Sequence, residues 1–335
     1  MGENGGTLST DSLKLNAAAE TERISALIYR GVFVQLRRKG LVVGLSGGID
    51  SSAVAALAAR ALGPDRVIGL FMPESDSSDE SLRLGRLLAK QLGIKTFEEN
   101  ISGILKAADC YRRRDEAIRT VLPEYHDGYK SKLVLSSLDS SEFRISYVVV
   151  QSPEGVQNKV RLTADAFLGL VAATNFKQRT RKMMEYYYAD RFLYAVAGTP
   201  NRLEYDQGFF VKNGDGSADI KPIAHLYKSQ VYQLAAYLGV PDEILQRMPM
   251  TDTYSLAQSQ EEFYFSLPYD KMDLCLYGKD HQYSVAAVAT AIGLTPVQVE
   301  RVYRDIEAKR LVARYLHMEP LLVASTQDAS IVQNV

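Results

Sequence analysis

The chain has 335 residues, of which 46% are hydrophobic and 24% charged, and its formal net charge is -1. That length is ample for a sizeable core, and a pI near 6.5 removes any global electrostatic reason to expect nucleic acid or an anionic membrane as partner. The two cysteines, Cys110 and Cys275, show no C-x-x-C or Cys/His spacing, which speaks against a disulfide framework or structural zinc and fits a reducing compartment.

The opening MGENGGTLSTDS is polar, lacks the regions of a signal peptide and reads as a disordered lead over 1–12. From 13 to about 38, apolar residues at helical spacing (Leu15, Ala18, Ile24, Leu27, Val32, Leu36) predict one or two amphipathic helices. A buried strand follows at 41–46, then a helix from about Asp50 to Leu62 closed by Gly63 and Pro64. RVIGLFMP (66–73) reads as a second strand, 79–92 as a helix, 94–100 as a third strand and 101–119 as a helix. No run of eighteen apolar residues occurs, so a soluble, cytoplasmic protein is expected. This alternation predicts an α/β fold: a parallel sheet with helices on both faces, Rossmann-like.

The alternation breaks at about 121–163. KLVLSSLDSSEFRISYVVVQSPEGVQNKVRL (132–162) is β-branched and carries a Pro-Glu-Gly turn, which predicts two or three antiparallel strands, a small β-rich insertion. A long helix is predicted at 164–190, a strand at 191–198 and an amphipathic helix at 226–241. The irregular stretch 242–272 has the length of a lid or binding segment. Helices at 283–293 and 295–315 close an α/β domain spanning 13–320, with a tail at 321–335.

Between the first strand and its helix lies Gly44-Leu45-Ser46-Gly47-Gly48-Ile49-Asp50-Ser51-Ser52. A Walker loop would need a lysine near Asp50, and none is there. The turn still favours an anion, because the helix start presents free N–H groups and the positive end of its dipole, and Ser46, Ser51 and Ser52 add hydroxyls. Taken alone, these residues are equally a tight turn with helix-start serines. SGGxDS resembles the loop of the N-type ATP pyrophosphatases, which hold the β- and γ-phosphates as leaving pyrophosphate while a nucleophile attacks the α-phosphate. In that setting Asp50 becomes attractive to phosphate through Mg²⁺, which prefers few carboxylates plus phosphate oxygens.

From Asn175 the sequence runs NFKQRTRKMMEYYYADRFLYAVAGTPNRLEYDQGFFVKNGDGSADIKPIAHLYKSQ. This is similar to NAD synthetase of the ammonia-dependent type over about 20–120 and 165–315, which implies an adenine nucleotide alpha hydrolase-like fold. The resemblance implies ATP-dependent amidation of deamido-NAD through an acyl-adenylate, with ammonia, free or from a separate glutaminase, as nitrogen donor. It implies Mg²⁺ on Asp50 and Glu204, catalysis by these two and Lys228, and a homodimer. ATP would be bound by Gly44, Ser46, Gly47, Gly48, Asp50, Ser51, Ser52, Met72, Thr199, Lys228 and Thr251. Deamido-NAD would meet Asn175, Arg179, Arg181, Tyr186, Lys212, Asp219 and His317. The departures are the insertion, Pro200 after Gly198-Thr199, Thr251 as an approximate match, and Met318 where the family has lysine after the histidine. They leave open another adenylating amide-forming or thiolating enzyme acting on a different acid, and a non-catalytic nucleotide-binding protein. His126, His225 and His281 show no metal spacing.

Overall fold

Short apolar runs, each too brief for a helix, build the centre of the fold. The computed structural model describes residues 7–135, 145–250, 253–259 and 261–322. A 3-10 turn (Thr10–Leu13) leads to α1 (Ala17–Arg30), β1 (Leu41–Gly44), α2 (Ile49–Leu62), β2 (Val67–Phe71), α3 (Asp79–Leu92), β3 (Lys95–Glu98), α4 (Ser102–Ala107) and α5 (Cys110–Arg119). Then come β4 (Lys130–Leu135), β5 (Ser146–Gln151), β6 (Gln157–Arg161), α6 (Ala164–Phe192), β7 (Ala195–Ala197), α7 (Arg202–Gln207), α8 (Lys228–Tyr237) and α9 (Asp242–Leu245). The last helices are α10 (Tyr269–Asp280), α11 (Val285–Ile292) and α12 (Pro296–His317).

The main sheet is parallel, in the order β3-β2-β1-β7, with Leu41 paired to Val67 on one side and to Ala195 on the other. Successive side chains of a strand face opposite ways. Leu41 and Val43 join one core with α1, α2 and α8, while Val42 joins a second with Ile101, Leu105 and Tyr188. Helices therefore cover both faces, as the alternation predicts. The chain leaves β1 toward β2 on one side and returns as β7 on the other, and the crevice beyond the strand ends at such a reversal is where ligands gather.

The insertion is a three-stranded antiparallel sheet, β4-β5-β6. Leu133, Val148 and Val150 of its inner face pack with Ile118 of α5, Leu170 of α6 and Tyr254. Leu256 N–H donates to the Ser131 carbonyl at 3.1 Å, tying the stretch after α9 to β4.

Several boundaries differ from expectation. Leu8 and Leu13 are buried against α10–α12, and Ser9 caps the Thr10–Leu13 turn, so 7–12 is an ordered turn anchored by Leu8, while residues 1–6 of the expected disordered lead lie outside the described residues. The predicted 101–119 helix splits into α4 and α5 at Asp109, which takes a left-handed φ of 56°, a conformation Asp tolerates. The predicted strand at 191–198 is only β7, because α6 runs on to Phe192. The irregular 242–272 stretch ends early: α10 starts at Tyr269 and buries Met272, Asp273, Leu274, Cys275 and Leu276, so it lacks the one-sided periodicity of a surface helix. No single helix among the described residues is long and apolar enough to cross a membrane.

Two contacts fix the elements that carry the site. Gly47 has φ +71°, and a Cβ there would meet the Ser81 carbonyl oxygen at 2.2 Å, so this turn against α3 requires glycine. Asp273 of α10, fully buried, accepts from the N–H groups of Lys228 at 3.2 Å and Ser229 at 2.7 Å, capping α8 from 44 and 45 residues away.

Gly47→Ala should lower stability by about 1–3 kcal/mol, read by thermal melting, and a variant as stable as wild type would contradict this packing. Burial pushes the Asp273 carboxyl up to about 7 from an ordinary 3.8. The folded chain then keeps a proton that the unfolded chain releases near 4, so this group makes stability fall as pH rises from about 4 to about 7. Asp273→Asn should flatten urea-unfolding stability across that window; a slope equal to wild type would exclude the raised pKa.

Candidate active site

The C-terminal ends of β1, β2 and β7 open into one cavity of about 1010 Å³. Small-ligand sites run from about 300 to 1,000 Å³, so this one is large. Its floor is Gly44–Ser46 and Gly48–Ser51, its sides Phe71–Pro73 and Thr199–Pro200, and its far wall Leu133, Leu162, Phe167 and Val171 from the insertion and α6.

At the floor, α2 starts at Ile49 with Gly48 as N-cap and no side-chain cap bond, leaving its first amides for a ligand. Ser51 Oγ donates to the Gly48 carbonyl at 3.1 Å and lies 3.1 Å from Ser46 Oγ, so the two hydroxyls set the curve of the loop. Ser52 Oγ donates to the same carbonyl at 2.8 Å and is buried beneath it. Gly47 faces α3. Neither Gly47 nor Ser52 lies on the cavity wall, and both serve the shape of the loop.

Asp50 is held from two sides. One carboxylate oxygen takes an ion pair from Lys228 Nζ, and the other accepts from Asn201 Nδ2 at 3.1 Å. Asn201 N-caps α7: its Oδ1 accepts from Glu204 N–H at 3.2 Å while Glu204 Oε2 accepts from Asn201 N–H at 3.1 Å. Asp50 and Glu204 are thus joined through one buried asparagine. Burial of the Lys228 ammonium works against its charge, but the Asp50 and then the Glu204 carboxylate outweigh that and hold its pKa above the ordinary lysine value. The loop itself has no lysine, and Lys228 from the start of α8 brings a cation against its Asp50.

Met72, Asn175, Arg181 and Thr199 also line the cavity, with Arg181 Nε 3.5 Å from the Met72 carbonyl oxygen. Other expected residues stand off its wall. Lys212 Nζ donates to the carbonyls of Tyr315 at 2.8 Å and Met318 at 3.1 Å, ending α12 rather than facing the phosphate loop. His317 lies against Tyr205 and Phe210, Arg179 Nε donates to the Lys212 carbonyl at 3.3 Å, and Tyr186 Oη donates to Asp219 at 3.3 Å. Asp219 also accepts from Val196 N–H at 2.7 Å, so it fixes β7. Thr251 lies outside the described residues.

Sequence reasoning passed over Asn201 and Asp273 as site residues, although Asp273 ends the stretch QSQEEFYFSLPYDKMD that resembles a family segment, and passed over Arg247 altogether. Asn201 had a signal, since Asn followed three residues on by Glu is a capping box. Arg247, whose guanidinium reaches the Gly47 carbonyl, had none, because it comes from a separate loop. Both cysteines are buried and unpaired, and burial pushes the Cys275 thiol up to about 12, far from a reactive thiolate.

The family model described as NAD synthase matches residues 22–150 and 137–313. An NH3-dependent NAD+ synthetase of Mesorhizobium japonicum is 61% identical over 92% of this chain and 98% of that protein. Among solved structures, an NMN synthetase from Francisella tularensis matches with a TM-score of 0.65 at 22% identity over 92% of this chain and 99% of that one. An NH3-dependent NAD synthetase from Campylobacter jejuni matches with a TM-score of 0.61 at 21% identity over 93% and 100%. At these identities the two structures speak for the fold. The sequence match carries the assignment, and the chain belongs to the NAD synthase family.

Proposed function

We infer that the chain is an ammonia-dependent NAD+ synthetase. It converts deamido-NAD to NAD by ATP-dependent amidation through an acyl-adenylate, releasing AMP and pyrophosphate. The observation that carries this, beside family membership, is the Asp50–Lys228–Asn201–Glu204 cluster at the floor of a cavity open to the amides of α2.

The nicotinate carboxylate attacks the α-phosphorus of ATP, the bond to the bridging oxygen breaks, and pyrophosphate leaves with the electron pair. Ammonia then attacks the acyl carbon and AMP departs. No step needs a nucleophile from the protein. The chain's task is to hold two anionic substrates in line and to meet the charge that develops on the leaving group. The loop amides and the Ser46 and Ser51 hydroxyls suit the phosphates, and the buried Lys228 keeps a positive charge at the floor of the cavity. Thr199 suits the sugar and α-phosphate side of ATP and Met72 its base, while Asn175 and Arg181, also on the cavity wall, suit deamido-NAD.

Among the described residues no three His, Cys, Asp or Glu side chains group as a metal cage. Mg²⁺ does not need one, since it takes one or two carboxylates and completes its shell with phosphate oxygens and water. Asp50 and Glu204, tied through Asn201, fit that demand and would hold the ion, which supplies neutralisation of phosphate charge. The residues standing off the cavity, namely Arg179, Tyr186, Lys212, Asp219 and His317, fit a dinucleotide site completed by a second copy of the chain, so a homodimer in the cytoplasm is part of this reading.

Purified protein with ATP, Mg²⁺, ammonium and deamido-NAD should form NAD and AMP. Absence of NAD would sink the assignment, and pyrophosphate release indifferent to deamido-NAD would move the acceptor to another acid. Asp50→Asn keeps the volume but loses the charge that Lys228 answers. It should lower kcat for pyrophosphate release by about 100-fold or more, and near-normal turnover would refute the role given to Asp50.

A further inference from the structure

Arg247 follows α9 and lies in the cavity wall. Its Nη1 donates to the Gly47 carbonyl at 3.3 Å and its Nη2 to Ser81 Oγ at 2.9 Å. Those two anchors belong to the two segments that meet at the turn: Gly47 is in the phosphate loop, and Ser81 is in the first turn of α3, its backbone pressed against Gly47. The guanidinium is therefore fixed by the loop itself. A guanidinium has five N–H donors, and these contacts use two.

The electrostatics separate Arg247 from the other cation at this floor. The charge of Lys228 is answered by Asp50. Arg247 makes no ion pair among the described residues; its anchors are a carbonyl and a hydroxyl, both neutral. A polyanion entering the loop thus meets one cation already committed to a carboxylate and one in no ion pair, whose charge reaches the exposed Glu80 carboxylate, itself bonded to Arg83, without bonding to it. A planar fork also matches phosphate oxygens two at a time, which a lysine cannot do.

We propose that Arg247 binds the β- and γ-phosphates of ATP and the leaving pyrophosphate, taking the place that the Walker loop gives to its lysine. This rests on the reaction inferred above, in which the electron pair of the broken bond to the α-phosphorus goes to pyrophosphate. Arg247 meets that charge, while AMP, on the other side of the bond, is out of its concern.

The test compares two product inhibitors of NAD formation, inorganic pyrophosphate and AMP, in wild type, Arg247→Met and Arg247→Lys. The inhibition constant of pyrophosphate should rise about 10- to 100-fold in Arg247→Met, with that of AMP near wild type, and Arg247→Lys should fall between. Pyrophosphate and AMP inhibition weakening together would mean that the loop has merely shifted and would overturn the proposal, as would unchanged pyrophosphate inhibition. Arg247→Lys decides the matter if the methionine variant does not fold. A wild-type protein that releases no pyrophosphate would instead remove the reaction on which the proposal stands.

Discussion

The site depends on one buried charge pair. Lys228 is 2% exposed and would not remain an ammonium there without Asp50. Asp50, at the N-terminus of a helix whose free amides favour an anion, would repel a phosphate there if it stood bare. Each group makes the other tolerable, and removing one partner of such a pair costs about 3–5 kcal/mol because an uncompensated charge stays behind. Asn201 and Asp273 then act as holders. The first keeps Asp50 and Glu204 in one frame, and the second keeps the start of α8, and with it Lys228, in place.

The same pairing gives a physical reason for α/β cleavage. A Walker loop carries its cation within itself, as a lysine that reaches the β- and γ-phosphates. Here the loop contributes amides and a carboxylate, and the cations reach it from α8 and from the loop after α9. In the proposed binding mode that charge surrounds a whole pyrophosphate unit, which is the group that leaves.

Much of this was legible in the residues. The core strands show as brief apolar runs between amphipathic helices, and SGGIDSS stands out because a polyanion turn lacks its lysine. Asp50, Glu204 and Lys228 carry a family pattern, and the geometry brings them together. What stayed hidden has a common cause. Asp273 and Arg247 act across long gaps in sequence, the first on two backbone N–H groups and the second on a carbonyl and one serine hydroxyl, so no local spacing announces what they hold. Lys212 and His317 looked like cavity residues in one dimension, yet in three they close the end of α12. Helix α10 is missed because a helix buried nearly all round has no polar stripe to mark its period.

The strand order carries a consequence for synthesis on the ribosome. The loop strand, β1, has both of its edges filled only when β7 joins it, after the insertion and the longest helix have been made. Asp50 meets Asn201 and Lys228 across 151 and 178 residues of chain. A growing chain therefore carries an open inner edge, prone to pair with other strands, through much of its emergence. It has no competent nucleotide site in that interval. Catalytic competence and relief from aggregation arrive together, late, when the second half of the sheet docks onto the first.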